Sequence, residues 1–484
     1  MVRLSRATVE SIHSRVGQPS YLEQEPGSGI LHFGIGQFAK GHLLAYTDAL
    51  LNEVLGDWRV TGVSLKTTTA KDALAPQDFL YGLVSQSETG SEARVIGSLA
   101  DIISLSDGGA EQLQAALQAP ETKIVSLTIT EKGYYQRDGK LDLSHPDIQA
   151  DLRQPQSPAT AIGWLAFGAW LRWQQGVTPF TVVSLDNLRG NGPVLRQVVI
   201  DYCAHVDADL ASFVEAEVAF PASMVDRIVP ALDLTARQLA EQQLGVRDSA
   251  PVVTETFTQW VLEDNFCSGR PAWERVGVLL CDDISVYETM KLRLLNGAHS
   301  TMAYWGLILG LETVADCMAQ PSLRAYIEAL LHAEVLPEVE PPPGIELHAY
   351  ISGLIKRFSN PHLRHRCEQI AMDGSQKIPL RLLPVIEARL GSGKDIDLLA
   401  HAIAAWIMFL QGQEAVQDPL SDQLLRLAAV EPPEQMVAGL IAESGIFGET
   451  LPRSSLFHES VTNAVLAIRK LGPDGALGAM MEKT

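Results

Sequence analysis

The rhythm of apolar and polar positions divides the chain into two parts of different character. In the first part, short runs rich in β-branched and aromatic residues recur at 29–34 (Gly-Ile-Leu-His-Phe-Gly), 59–65, 123–129 (Lys-Ile-Val-Ser-Leu-Thr-Ile) and 180–184. Helix-spaced segments at 41–55, 110–118 and 159–175 lie among them. Strands alternating with helices predict an α/β domain built on a parallel, doubly wound sheet. From about residue 285 the pattern is helical (286–310, 322–334, 346–358, 395–412, 420–430, 455–471) with no convincing strand. A proline-rich loop, 339–344, interrupts it on the outside. The expectation is an α/β domain over 1–284, a mainly α-helical domain over 285–484, and a site in the cleft between them.

Composition adds mostly exclusions. A chain of 484 residues exceeds one ordinary core, and 46% apolar with 20% charged residues is globular composition. The formal net charge of −21 argues against nucleic acid or an anionic membrane as partner, while leaving room for a local basic pocket. The five cysteines (203, 267, 281, 317, 367) show no metal-ligand spacing, so no metal site and a reducing compartment are expected. The first seventeen residues lack an apolar h-region, and the longest apolar stretches (302–311, 398–410) fall short of the ~18 residues of a membrane span. A cytoplasmic protein is expected, as a monomer or small homo-oligomer, two states the helical faces do not distinguish.

Candidate chemistry begins at Gly34-Ile35-Gly36-Gln37-Phe38, which follows the first strand and enters a helix. Glycines at such a turn let a pyrophosphate approach the backbone and the helix N-terminus, although Ala39 replaces the third glycine of the dinucleotide pattern. A plain tight turn reads the same way. The second strand runs into Lys66-Thr67-Thr68-Thr69-Ala70-Lys71 with no carboxylate before Asp72. Both a ribose diol (NAD) and a 2′-phosphate (NADP) therefore stay open. Ser184-Leu-Asp186-Asn187-Leu-Arg-Gly190-Asn191-Gly192 ends a strand at the ligand-binding edge, where Asn187 is placed to donate to a substrate oxygen; ordinary turn chemistry also accounts for it. Asp226-Arg227, in apolar surroundings, reads as a structural ion pair or as a holder of a substrate hydroxyl.

The most informative stretch is Lys291-Leu-Arg-Leu-Leu-Asn296-Gly-Ala-His299, a lysine, an amide and an imidazole in an apolar helical run. At 100° per residue with Lys291 at zero, His299 falls at about 80°, Asn296 at about 140° and Glu288 at about 60°. All four share roughly one face. Burial disfavours the ammonium form, so a desolvated lysine becomes a usable base for an alcohol proton. A solvated helix face gives the same clustering, but the leucine-rich flanks leave it little room.

Taken together, these residues resemble the polyol-specific long-chain dehydrogenases, the family of mannitol 2-dehydrogenase and fructuronate reductase (mannonate oxidoreductase). The resemblance runs through Ser126-Leu-Thr-Ile-Thr-Glu131-Lys-Gly-Tyr134, Asp186-Asn187-Leu188, Phe220-Pro to Pro230, Gln259 to Asn265, Gly269 to Trp273, and Arg357-Phe-Ser-Asn-Pro361 through Asp373-Gly-Ser-Gln-Lys377. It implies a Rossmann-type domain, a helical domain and metal-independent, NAD-linked oxidation of a secondary alcohol. In that pattern Lys291 is the general base, Asn187 and Asn296 are the oxyanion-holding amides, His299 orients the substrate and Glu288 relays the proton. Gly34 to Phe38, Thr68, Thr69, Glu131 and Asp186 fall at cofactor positions, and Asp226, Arg357 and Lys377 at substrate positions.

Three departures stand out. The family's turn continues Phe-His-Arg-Ala-His, whereas this chain has Phe38-Ala39-Lys40-Gly41-His42. Thr68 and Thr69 replace acidic residues, and Gln369 stands where mannitol dehydrogenases carry arginine. The run from His365 to Pro379 looks more like the fructuronate reductase branch. Together with the basic segment Lys356, Arg357, Arg364, His365, Arg366, this favours a sugar acid such as D-mannonate/D-fructuronate. The D-mannitol/D-fructose pair is the alternative, and a non-catalytic dinucleotide-binding protein a distant one.

Overall fold

Strands Ser28–Phe33, Arg59–Ser64, Leu99–Ser104, Ile124–Leu127 and Thr181–Ser184 form one sheet, all neighbours parallel. Numbered in chain order their spatial order is 3-2-1-4-5, with the reversal between Ser28–Phe33 and Ile124–Leu127. In the computed structural model, which describes residues 1–482 other than 88, 89, 138 and 364, the chain divides into the units Met1–Ser285 and Val286–Thr484. The sheet is the frame of the first unit.

Period-two alternation sends successive side chains to opposite faces of this sheet. Leu31, Phe33, Val125, Leu127 and Val182 pack into one core, covered by the helices Ala161–Gln175 and Asn191–Val206. Ile30, Val60, Ile102, Ile124 and Val183 pack into the other, against Leu43, Leu44 and Leu50 of Leu43–Glu53. With both faces covered, the central strands read as near-continuous apolar runs. The first helix does not run over 41–55 as one element: it breaks at His42 (φ −121°) into Gln37–Gly41 and Leu43–Glu53. Two three-stranded sheets and a two-stranded one, Gln136–Arg137 with Lys140–Leu141, accompany the parallel sheet. In one of the three-stranded sheets, Tyr81–Ser87 pairs with Val252–Glu255 and Gly90–Ile96; in the other, Gln259–Glu263 pairs with Ser223–Asp226 and Leu279–Cys281.

The second unit is helical, and its named elements include no strand among the described residues. Its centre is Asp397–Gln411, whose residues Leu398–Ala400 and Ala402–Ile407 are all buried. A helix apolar on every side belongs inside a bundle. The expected single helix over 286–310 is instead three segments: α over Ser285–Met290, π over Lys291–Asn296, and α over Gly297–Ile308. The helix expected at 322–334 likewise passes into a π turn at Leu330–Val335. No described helix is long and apolar enough to cross a membrane.

One buried group ties strand to turn in the first unit. His32, fully buried, lies with Nδ1 2.8 Å from Ser126 Oγ and Nε2 3.1 Å from Thr128 Oγ1, and Thr128 Oγ1 donates to Gly34 O at 2.7 Å. Because Thr128 donates onward, the imidazole is assigned a proton on Nε2. Burial pushes its pKa down to about 3. The unfolded chain binds this proton from its ordinary value of about 6.5 downward, so His32 makes stability fall as pH drops from about 6.5 towards 3. The slope approaches ~1.4 kcal/mol per pH unit for one such group. Urea midpoints measured between pH 7 and pH 4 are expected to fall more steeply for the parent chain than for His32→Asn, which carries no proton to gain.

Candidate active site

In the α/β unit the carboxyl ends of three central strands open onto a cavity of about 290 Å³ whose lining includes Gly34, Lys66, Thr67, Thr128 and Tyr135. Ligands of doubly wound sheets bind at such an edge, beside the point where strand order reverses. Gly34 has φ +96°, and an added Cβ would lie 2.2 Å from Thr128 O, so no other residue fits there. Gly36 differs: its Cβ position has nothing within 4 Å, which leaves the backbone open to a close ligand. Next to it Gln37 Oε1 is buried without a partner. An open glycine at a strand-to-helix turn fits the close approach of a dinucleotide's phosphates, and the Gln37 oxygen, an acceptor, fits a hydroxyl donor such as a ribose's. Ile35 packs on Gly62, whose added Cβ would meet Ile35 at 2.5 Å, and Phe38 stacks on His42 at 5.0 Å.

The departures of the turn point inward. Lys40 is buried, donates from Nζ to Ala250 O at 3.0 Å, and has its pKa pushed down to about 8 by burial. His42 Nε2 lies 3.2 Å from Gln259 O. Thr68 and Thr69 are not in the cavity lining: the Thr68 hydroxyl donates to Asp72 at 2.6 Å and Thr69 opens the helix Thr69–Leu74. Lys66 and Thr67 stand at the lining instead.

Asp186 proves to be a structural knot as much as a contact. Its carboxylate accepts from Ile129 N (3.1 Å), Thr130 N (2.9 Å) and the Tyr134 hydroxyl (2.9 Å). Burial raises its pKa, and these donors oppose the rise. Thr130 is held at φ +64°, ψ 163°, a conformation costly for a residue with a Cβ, and its amide is one of the two that Asp186 fixes. Asn191, at the end of the same stretch but given no role by the sequence, ties the turn down: Nδ2 donates to Asp186 O (3.0 Å) and Ser223 O (2.9 Å), and Oδ1 accepts from Ser223 N (3.0 Å). An asparagine at the start of a helix gives no sequence signal of that burial. Asn187 and Glu131 are exposed, and Asp226 ends its strand buried. Arg227 donates to Gly41 O (2.6 Å), Ser85 Oγ (3.1 Å) and Glu255 O (3.0 Å).

In the helical unit, Lys291, Asn296 and His299 are only 7%, 5% and 6% exposed, so the solvated-face reading of this helix fails. Glu288 is half-buried one turn earlier. The π turn also changes the helical angles expected for these residues. Gly297 N–H bonds back to Leu292 O, an i→i+5 closure. Wider winding brings residue 296 back towards the side of residue 291, from which regular α geometry would separate it.

Asn296 Nδ2 and His299 Nε2 are buried without partners. The His299 ring lies 4.7 Å from Phe358 and 5.0 Å from His365, centroid to centroid. Burial, then the charges of His365, Arg357, Arg381 and Lys291, hold its pKa well below the usual imidazole range. His365 is pushed down to about 4 by burial and by Lys377.

The motif from Asp373 to Lys377 now has a physical account. Asp373 is left-handed (φ +54°), and a Cβ on Gly374 would lie 2.8 Å from the Tyr304 hydroxyl and 2.9 Å from Trp406 Nε1. Asp418 accepts from Ser375 N (2.8 Å) and Ser375 Oγ (2.6 Å), fixing the start of Gly374–Arg381, the helix that carries Lys377. Lys377 Nζ donates to Ile370 O at 3.1 Å. Of the basic segment, Arg357 is buried, Lys356 is exposed, and exposed Arg366 pairs with Glu368 at 3.0 Å; Arg364 lies outside the described residues. Gln369 is exposed. Among the described residues no group of three or more His, Cys, Asp or Glu side chains is placed to hold a metal.

Comparison with known proteins covers both units. The family model for the mannitol dehydrogenase Rossmann domain matches residues 28–275, and that for the mannitol dehydrogenase C-terminal domain matches 283–469. D-mannonate oxidoreductase of Escherichia coli (strain K12) is 38% identical over 98% of this chain and 100% of its own. Mannitol 2-dehydrogenase of Pyrenophora tritici-repentis is 36% identical over 100% of this chain and 86% of its own. Among solved structures, Pseudomonas fluorescens mannitol 2-dehydrogenase, in ternary complex with NAD and D-mannitol, superposes with a TM-score of 0.88 at 36% identity, covering 100% of both chains.

The knot around Asp186 is testable. Asp186→Ala leaves two partly buried amides without their acceptor, at no more than about 1–3 kcal/mol each, and frees Thr130 to leave its strained conformation. A Tm lowered by several degrees together with weakened dinucleotide binding, measured by calorimetry, is expected; an unchanged Tm would remove the knot from the account.

Proposed function

The chain belongs to the mannitol dehydrogenase family, and from that premise we propose that this oxidoreductase interconverts a secondary alcohol and a ketone on an open-chain sugar acid, D-mannonate/D-fructuronate. The observation that carries the choice of substrate is the surroundings of His299. Around it stand His365, Arg357, Arg381 and Lys291, of which the two guanidiniums keep their charge, in a chain of net charge −21. A hexuronate carboxylate can form charge-assisted hydrogen bonds with a guanidinium there, which a neutral polyol cannot. The 38% identity to D-mannonate oxidoreductase over 98% of the chain supports the same reading.

The cofactor of this reading is NAD, supported by the NAD complex of the Pseudomonas fluorescens relative and by the open turn at Gly36; Lys66 and Thr67 leave NADP as a second arm of the test. When bound, it supplies the acceptor or donor of hydride. The side chains do the rest. In oxidation Lys291, the base, takes the hydroxyl proton. The unpartnered Nδ2 of Asn296 and the amide of Asn187 donate to the developing alkoxide. His299, neutral because it is buried, orients the hydroxyl, and Glu288 passes the proton to solvent. Asp226, Arg357 and Lys377 hold the rest of the chain of the sugar, with Arg357 as the carboxylate partner. No step calls for a metal.

The test is a nicotinamide absorbance assay on D-mannonate, D-fructuronate, D-mannitol and D-fructose with NAD and with NADP. The acid pair is expected to give the higher kcat/KM, and Arg357→Met to lower it by about 10- to 100-fold for the acid pair alone, as loss of a charged hydrogen bond does. Higher efficiency on D-mannitol would overturn the substrate. Lys291→Ala should cut kcat by roughly 100- to 10,000-fold with dinucleotide binding preserved; full activity in that variant would overturn the mechanism.

A further inference from the structure

Arg381 is half-buried at the end of Gly374–Arg381; sequence patterning gives it no task, and the roles above use it only as one of the cations near His299. Its guanidinium bridges the point where the π segment hands over to the α-helix. Nη1 donates to Ser300 Oγ at 2.9 Å and reaches Asn296 O at 3.4 Å. One of these partners is the last residue of the π turn, and the other lies one turn beyond it. The two helices joined by this strap meet beside the junction at Gly297, where an added Cβ would stand in ordinary contact with Arg381 O (3.4 Å) and Leu382 Cδ2 (3.6 Å).

A π segment inside an α-helix is less favourable than continued α winding and survives where the surroundings fix it. Two contacts already secure this helix elsewhere: Arg293 donates to Glu338 O near the start of the π turn, and Tyr287 donates to Pro343 O at 2.9 Å before it. Arg381 secures the other end. Its own helix is anchored at the opposite terminus by Asp418 on Ser375, so the strap pulls from a fixed base.

We propose that Arg381 is a positioning residue for the reaction: it holds the π-to-α junction in register so that Asn296 stays beside Lys291. The inference rests on Lys291 and Asn296 being the reacting groups. Loosening the strap lets the segment rewind towards α, which carries the Asn296 amide around the axis away from the lysine. The amide then no longer meets the developing oxyanion, and turnover falls while the α/β unit's own binding of dinucleotide does not.

The experiment compares Arg381→Met, Arg381→Lys and Ser300→Ala with the parent and with Lys291→Ala. It uses NAD and whichever of D-mannonate or D-mannitol turns over. Arg381→Met is expected to lower kcat by about 10- to 100-fold, less than the full effect of losing an oxyanion donor, with KM for NAD within twofold. Arg381→Lys, which keeps a charged donor, should recover most of kcat, and Ser300→Ala should lose about 2- to 5-fold. Parent-like kcat in a folded Arg381→Met protein overturns the inference. If Arg381→Met does not fold, parent-like kcat in Ser300→Ala together with no recovery in a folded Arg381→Lys overturns it. Full activity in Lys291→Ala would instead overturn the functional reading on which it stands.

Discussion

A cluster of basic side chains kept out of water is the constraint on which the helical unit depends. Lys291, Arg357 and His299 are all buried, with His365 and Arg381 close enough to act on His299. Burial and mutual repulsion both disfavour the charged forms, so the cluster resolves by leaving imidazoles neutral. Rigid surroundings are needed to hold such groups together at all. The all-apolar helix Asp397–Gln411, the close seat of Gly374 against Tyr304 and Trp406, and the Asp418 cap on Ser375 supply them. On the proposed reading a sugar-acid carboxylate meets a guanidinium of this cluster, which links the packing of this unit to its proposed specificity.

The α/β unit handles an opposite problem with one carboxylate. At the carboxyl edge of the sheet the chain must turn sharply beside an open cavity, where backbone amides would be left unmatched. Asp186 accepts from two of them and from Tyr134, and Asn191 braces the same turn from the other side. The strain at Thr130 is tolerated because its amide is held in this way. Preorganisation of that kind keeps a binding edge in shape before a ligand arrives.

How much of this the sequence discloses depends on which physical signal dominates locally. Strands buried on both faces, such as Ile124–Leu127, have no alternative reading, and the helix Ala110–Gln118 follows its amphipathic spacing residue for residue. Leu99–Ser104 escaped because Asp101 interrupts its apolar run, and Tyr81–Ser87 with Gly90–Ile96 because their polar positions resemble loops. The candidate groups stood out, since lysine, amide and imidazole in a leucine-rich run are conspicuous, and all three are buried. Their geometry was not legible: angles drawn at α spacing assume a winding that Lys291–Asn296 does not keep. Arg381 was equally hidden, as an arginine on a helix ordinarily faces water and only the fold shows what it touches.

The π segment also has a genetic meaning. Helical winding that exceeds the α repeat for a single turn is equivalent to one residue inserted into an otherwise regular helix. Deleting one codon between Met290 and Gly297 would let the α ladder close while leaving Glu288 and His299 in nearly the same register, because the wide turn already absorbs the extra residue. Bulged and plain versions of this helix are thus one small deletion apart. A relative with a plain helix at this position would keep both flanks in place and be shorter by one residue between them.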